Sequence, residues 1–249
     1  MRKQVLTVIA ALMLAGCTAV SETPEPANAP AGNQGCDAFE ACEDASADQS
    51  ETVMTFKEDY ESLNGVANSS GKLHRIITIS KTHPFVYAQP ADILNMIQNK
   101  ESFWLYVGDS KCPWCRAVIE SAIAAAAEQG VTAIQYLPIW DSEGNEILRD
   151  KYELVSGKPV KVSDGAPEYA ELLNVLDPLL GPYELEGENG QMVDVGEKRI
   201  YAPNYVRIEE GKPVRLTTGI PNELSDPRGE LSAEQVADEM AQFTEFFAE

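Results

Sequence analysis

Residues Phe103 to Gly130 read FWLYVGDSKCPWCRAVIESAIAAAAEQG, and this stretch decides the fold. Ser102 to Val107 is a nearly continuous apolar run rich in aromatics, as expected of a central strand covered on both faces. Gly108 to Lys111 break it. From Pro113 to Gln129, Val118, Ile119, Ala122, Ile123 and Ala126 form one apolar stripe at helical spacing, and Gly130 suits the residue just past the helix end. Between strand and helix stand Cys112-Pro113-Trp114-Cys115. Two cysteines three apart at a helix start lie close enough to bond. Cys112 falls in the N-cap region, where unpaired backbone N–H groups and the helix dipole favour an anion. A thiol there ionises below its usual value of about 8.5. Pro113 suits the first helical position, where its missing donor costs nothing. Lys111 and Arg116 add positive charge beside the pair. The expectation is a redox dithiol with Cys112 presented to the medium as nucleophile and Cys115 resolving. Trp114, in the dipeptide between them, is expected to face solvent and touch substrate.

Two other readings of the pair need weighing. A structural zinc site takes four ligands, usually two such pairs. Cys36 and Cys42 have the wrong spacing for a second pair, and His74 and His83, the only histidines, lack metal-ligand spacing, so no metal is expected. A static disulfide that never turns over stays open.

Outward from this unit, Arg75 to Ile79 and Phe85 to Ala88 read as strands, and Pro90 opens a helix to about Asn99. Thr132 to Trp140 reads as the next strand, with Pro138 marking its end. Strand, helix, strand, helix, strand argues for an α/β domain with parallel neighbours. Asp141 to Lys198 is less regular. Glu143 to Tyr152 reads as a short helix, and Tyr169, Leu172, Leu173 and Leu176 mark an amphipathic helix within Pro167 to Leu180. Gly187-Glu188-Asn189-Gly190 reads as a hairpin turn. Asn204 to Glu209 and Val214 to Thr218 read as antiparallel strands around Glu210-Gly211-Lys212. Ser232 caps a last helix to about Ala248. Trp104 and Tyr106 read as core residues, and Asp109 and Asp141 as exposed loop or strand-end acids.

At the N-terminus, Arg2 and Lys3 precede an apolar run from Val5 to Ala15, too short to span a bilayer at about 20 residues. Leu14-Ala15-Gly16-Cys17 resembles a bacterial lipobox. Residues 1–16 are therefore expected to be a signal peptide and Cys17 the lipidated first residue of the mature chain. Residues 17–55 are rich in Pro, Ala, Ser and acids, and read as a flexible tether. Cys36 and Cys42 within it are expected to form a local disulfide, with a second redox pair or unpaired thiols as alternatives. Residues 56–249 form the folded domain. The chain carries 40 acids and 19 bases, a formal charge of −21. Such a surface repels phosphate backbones, so nucleic-acid binding is not expected.

The segment from Phe103 to Trp140 resembles the strand–CxxC–helix–strand unit of the thioredoxin superfamily. Tyr201-Ala202-Pro203-Asn204-Tyr205-Val206-Arg207-Ile208, followed by Glu210-Gly211-Lys212-Pro213, resembles that family's second block. The pieces FKEDYESLNG, PFVYA and KRIYAPNYV are similar to thioredoxin-like lipoproteins of Gram-positive bacteria, some labelled bacteriocin transport accessory proteins. The resemblance covers residues 85 to 248, with an insertion at about 141–199. It implies an α/β thioredoxin-like fold: a mixed central sheet, an N-terminal β extension, and a helical insertion between the CxxC unit and the cis-proline strand. It implies that Pro203 is that cis-proline, facing the dithiol, with the Ala202 backbone open to an extended substrate. Two positions depart from thioredoxin: Lys111 replaces the Trp before the first cysteine, and Tyr106 replaces a buried acid that helps deprotonate the second. The Pro-Trp dipeptide is closer to glutaredoxins.

Together these readings lead to the expectation of a monomeric, lipid-anchored thiol–disulfide oxidoreductase on the outer face of the cell membrane. It would exchange disulfides with exported proteins and an unidentified redox partner, without a cofactor. A non-catalytic accessory or scaffold lipoprotein for an export system is the second reading. A copper chaperone ranks last, because that type commonly uses CxxxC with a distant His.

Overall fold

Apolar runs separated by glycine- and proline-bearing turns lay down the elements of the computed structural model, which describes residues 55–248. In chain order they are α1 (55–61), β1 (Phe85–Tyr87), α2 (Pro90–Gln98), β2 (Phe103–Gly108), α3 (Pro113–Glu128), β3 (Ile134–Pro138), β4 (Lys151–Val155) and β5 (Lys158–Ser163). There follow α4 (Tyr169–Leu176), a 3-10 turn (Asp177–Leu179), β6 (Pro182–Glu186), β7 (Met192–Lys198), β8 (Asn204–Glu209), β9 (Lys212–Thr217) and α5 (Ala233–Phe247). The signal peptide, Cys17, and the tether with Cys36 and Cys42 lie outside the described residues. Among the described residues no helix is long and apolar enough to cross a membrane.

The fold is mixed α/β. Its central sheet has five strands in the order β1-β3-β2-β8-β9. β1 and β2 run parallel to β3, whereas β8 is antiparallel to both β2 and β9. Every residue of β2 is buried, so both faces of the strand must be apolar. Alternation divides them: Trp104 and Tyr106 point to the layer of α3 and α5, and Phe103, Leu105 and Val107 to the layer of α2 and α4. Each such side chain contributes roughly 1.5–3 kcal/mol through its burial.

The ends of the elements follow local chemistry. Gly130 takes φ +72° beyond α3, a conformation in which glycine carries no Cβ penalty. The Ser232 hydroxyl accepts from the Gln235 N–H at 3.2 Å to start α5. At the β8–β9 hairpin Glu210 and Gly211 both have positive φ, the geometry of a two-residue turn matched to strand twist.

Three expectations need correction. Residues 75–79 form no strand, because side chains take their backbone donors: Asn64 Oδ1 accepts from Ile77 N, Glu120 Oε1 from Thr78 N and Glu61 Oε1 from Ile79 N. The N-terminal β extension thus reduces to β1, and α1 is helical where no element was expected. Glu143 to Tyr152 is not a helix. Trp140 bridges back to Glu146, and Lys151 already opens β4. The insertion at 141–199 is therefore chiefly two hairpins, β4–β5 and β6–β7, with α4 as its one α-helix.

Candidate active site

β2 ends at Gly108 and α3 begins at Pro113, so the dithiol sits where the buried strand turns into the helix. Cys112 is the N-cap: its backbone is extended, its Sγ accepts from Cys115 N at 3.4 Å, and its carbonyl accepts from Arg116 N at 3.1 Å. Both cysteines are free thiols. Ninety residues further on, the chain returns at the mouth of β8. The Ala202–Pro203 bond is cis, and Ala202 O lies 3.6 Å from Cys112 Sγ. Cys112, Pro113, Trp114, Cys115, Ala202 and Pro203 are thus brought together at one end of the sheet.

Cys112 is less open than expected, at 6 % exposed, because its sulfur is tucked against the Ala202 carbonyl. Cys115 is wholly buried. Beside them runs a groove of about 520 Å³. It is lined by Trp114, which is half-buried, by Tyr201, Ala202 and Pro203, and by Ile220 and Leu224. The loop after β9, which supplies Ile220 and Leu224, carries no motif that sequence reading would single out.

The two thiols titrate apart. The Cys115 thiol hydrogen-bonds the Cys112 sulfur and, with the Cys115 and Trp114 N–H groups, holds it below the ordinary thiol range against the opposing effects of burial and Asp109. Cys115 is pushed well up by burial first, then by its hydrogen bonding to Cys112 and by the Cys112 charge; the nearby Tyr106 hydroxyl acts the other way. The cations assigned to this task from sequence are engaged elsewhere. Lys111 Nζ donates to Asp141 O at 2.5 Å. Arg116 is fully buried and donates to the carbonyls of Tyr60, Ser110 and Arg75 and to Asn64 Oδ1. The partner thiol first and then the helix-start amides, rather than side-chain cations, lower the Cys112 pKa.

Asp109 also departs from expectation. It is buried, because its carboxylate accepts from Lys111 N at 2.9 Å and Trp140 N at 3.0 Å, tying the strand end to the next loop. Burial raises its pKa despite those bonds. Asp141 instead bonds Asn145 at the surface. Among the described residues no group of three or more His, Cys, Asp or Glu is placed to hold a metal ion.

No family model matches the chain, and no curated protein matches it.

Proposed function

We propose that this is a thioredoxin-like thiol–disulfide oxidoreductase, tethered by a lipid at Cys17 to the outer face of the cell membrane. The observation that carries the reading is the geometry of the pair: Cys112 is the N-cap of α3 beside the cis Ala202–Pro203 bond, its Sγ accepting from Cys115 N, while the Cys115 thiol one helical turn on is wholly buried. The sheet order β1-β3-β2-β8-β9, with β8 antiparallel and opening on Pro203, supports the fold assignment.

In the reduced form the Cys112 thiolate attacks one sulfur of a substrate disulfide, forming a mixed disulfide and releasing one substrate thiolate. Cys115 then attacks Cys112 Sγ, closing the Cys112–Cys115 disulfide and releasing the second substrate sulfur. Two electrons pass from the protein to its substrate, and oxidation of a substrate dithiol is the reverse. The electron donor or acceptor that resets the pair sets the direction. Access to Cys112 is narrow, which favours a disulfide on an extended segment able to lie along the Trp114–Pro203 groove. Exported proteins with such segments, and a thiol-bearing redox partner, are the partners this chemistry implies.

An accessory or scaffold role has one observation in its favour: β4–β5 leaves Val155, Val160 and Val162 about half exposed. Insulin reduction in dithiothreitol separates the two. The domain is expected to accelerate insulin precipitation and Cys112→Ser to abolish the effect. A wild-type rate equal to the variant's would favour the scaffold.

A further inference from the structure

A second cavity, of about 390 Å³, adjoins the turn that leads into Cys112. α1 supplies Asp59 to its wall, β1 Tyr87, β3 Tyr136, the loop after it Trp140, and the β2–α3 turn Asp109 and Lys111. Lys111 is next to Cys112 in the chain. Disulfide exchange at the dithiol uses none of these side chains.

The wall is short of positive charge. The Tyr87 hydroxyl donates to Asp59 Oδ2, and Oδ1 stays open. Asp109 accepts one backbone N–H on each oxygen, from Lys111 and Trp140. A carboxylate has about four lone-pair sites, so both acids retain capacity. The Lys111 ammonium turns away to Asp141 O. Arg149, 6.0 Å from the Trp140 ring centroid, is bonded to Glu146 and to Ile200 O. Among the described residues neither Asp59 nor Asp109 has a salt-bridge partner.

A second feature of the same wall asks for a ligand. Tyr136 is only 2 % exposed, and its hydroxyl has no hydrogen-bond partner among the described residues. It is not sealed in as the orphaned Tyr205 hydroxyl is, so it opens on the cavity that Tyr136 lines. A buried phenol without a partner is costly unless something enters to meet it. The Tyr87 and Tyr136 rings meet edge to face at 5.0 Å, and together with Trp140 they offer ring surface of the kind that attracts organic cations. An anion would meet two carboxylates. A bare metal ion would lack ligands, because no group of three or more is placed for one among the described residues.

We propose that this cavity is a cation subsite that takes the guanidinium or ammonium group of a basic side chain on the disulfide substrate. The cation pairs with Asp59, donates to the Tyr136 hydroxyl and lies against the Tyr87 and Trp140 rings. A formal charge of −21 draws such substrates in. That the cation comes from the substrate rests on the dithiol-exchange reading above; the cation site itself does not.

Titration calorimetry with Nα-acetyl-arginine amide and with its neutral isostere, Nα-acetyl-citrulline amide, tests the site without the dithiol. The arginine probe is expected to bind at least about tenfold more tightly, the worth of one charge-assisted contact. Asp59→Asn and Tyr136→Phe are each expected to cut that preference about threefold or more. Glu188→Gln, which removes the same charge from an exposed turn, is expected to leave it intact. If Tyr136→Phe does not fold, Asp59→Asn, an exposed position on α1, decides. Equal or absent binding of the two probes, or a preference that survives the site variants, overturns the proposal. Two disulfide peptides that differ only in arginine or citrulline beside the cysteine then identify the source. A kcat/KM about tenfold higher for the arginine peptide assigns the cation to the substrate. Equal values overturn that assignment and leave the site to a free organic cation. If neither peptide is reduced, the dithiol reading fails, and calorimetry still decides the site.

Discussion

At the scale of single residues, the core holds polar groups whose cost is visible in their partners. Glu239 on α5 is fully buried; Ser121 Oγ donates to its Oε2 at 2.6 Å, while Oε1 has no partner. Burial pushes its pKa up from 4.5 to about 7, against the Ser121 bond. A raised acid favours the fold in its neutral form, so the unfolded chain gives up this proton first. Stability is then lost as pH rises from about 4.5 to about 7. Glu239→Gln keeps an acceptor for Ser121 and removes the ionisation. Urea unfolding across that window is expected to show a flatter dependence in the variant; parallel curves would contradict it. Arg116 is the complementary case, a buried guanidinium satisfied by carbonyls and one amide oxygen rather than by a carboxylate. Replacement by Met strands those acceptors and is expected to cost at least about 3 kcal/mol in urea unfolding. A loss below about 1 kcal/mol would mean that they find other donors. Neither residue was legible in advance. Arg116 was read as a charge beside the cysteines, because all of its acceptors but the Ser110 carbonyl, those on Tyr60, Asn64 and Arg75, come from 41 to 56 residues away in the chain.

At the scale of elements, burial decided what could be read. β2 is a continuous apolar run buried on both faces, α3 and α5 carry apolar stripes at helical spacing, and β8 is apolar between turn residues, so the boundaries of all four were legible to within a residue or two. β4 and β5 bury little: Tyr152 and Leu154 alternate with Lys151 and Glu153 but are only partly buried, and β5 is exposed apart from Pro159, so the alternation is too short to reveal the hairpin. Its cue is the Ser156-Gly157 turn, where both residues take positive φ. Residues 75–79 failed for the opposite reason. Their apolar and β-branched composition is that of a strand, yet Asn64, Glu61 and Glu120 satisfy the backbone, so tertiary contacts overrode local preference. The same segment explains how α1 is held: Arg116 on α3 binds Tyr60 O and Arg75 O and thereby fastens the start of the domain to the dithiol helix.

At the scale of the whole molecule, one chain end brings a groove wall and a carbonyl to thiols that lie 90 residues earlier. The pairing of Cys112 with Pro203 was legible only through resemblance, whereas the Tyr201–Leu224 groove required the folded chain. An overall charge of −21 does nothing to stabilise a thiolate. The ionisation of Cys112 must therefore come from groups at contact distance, and the helix-start amides and the Cys115 thiol supply them. The most direct test is the rate of iodoacetamide alkylation of reduced Cys112, followed by mass spectrometry from pH 4 to pH 10. Because the folded pKa is lowered, reactivity is expected to be past half of its plateau at the pH of an ordinary thiol's midpoint, with its own midpoint at a lower pH. A midpoint at or above about 8.5, the value of an unperturbed thiol, would contradict the account.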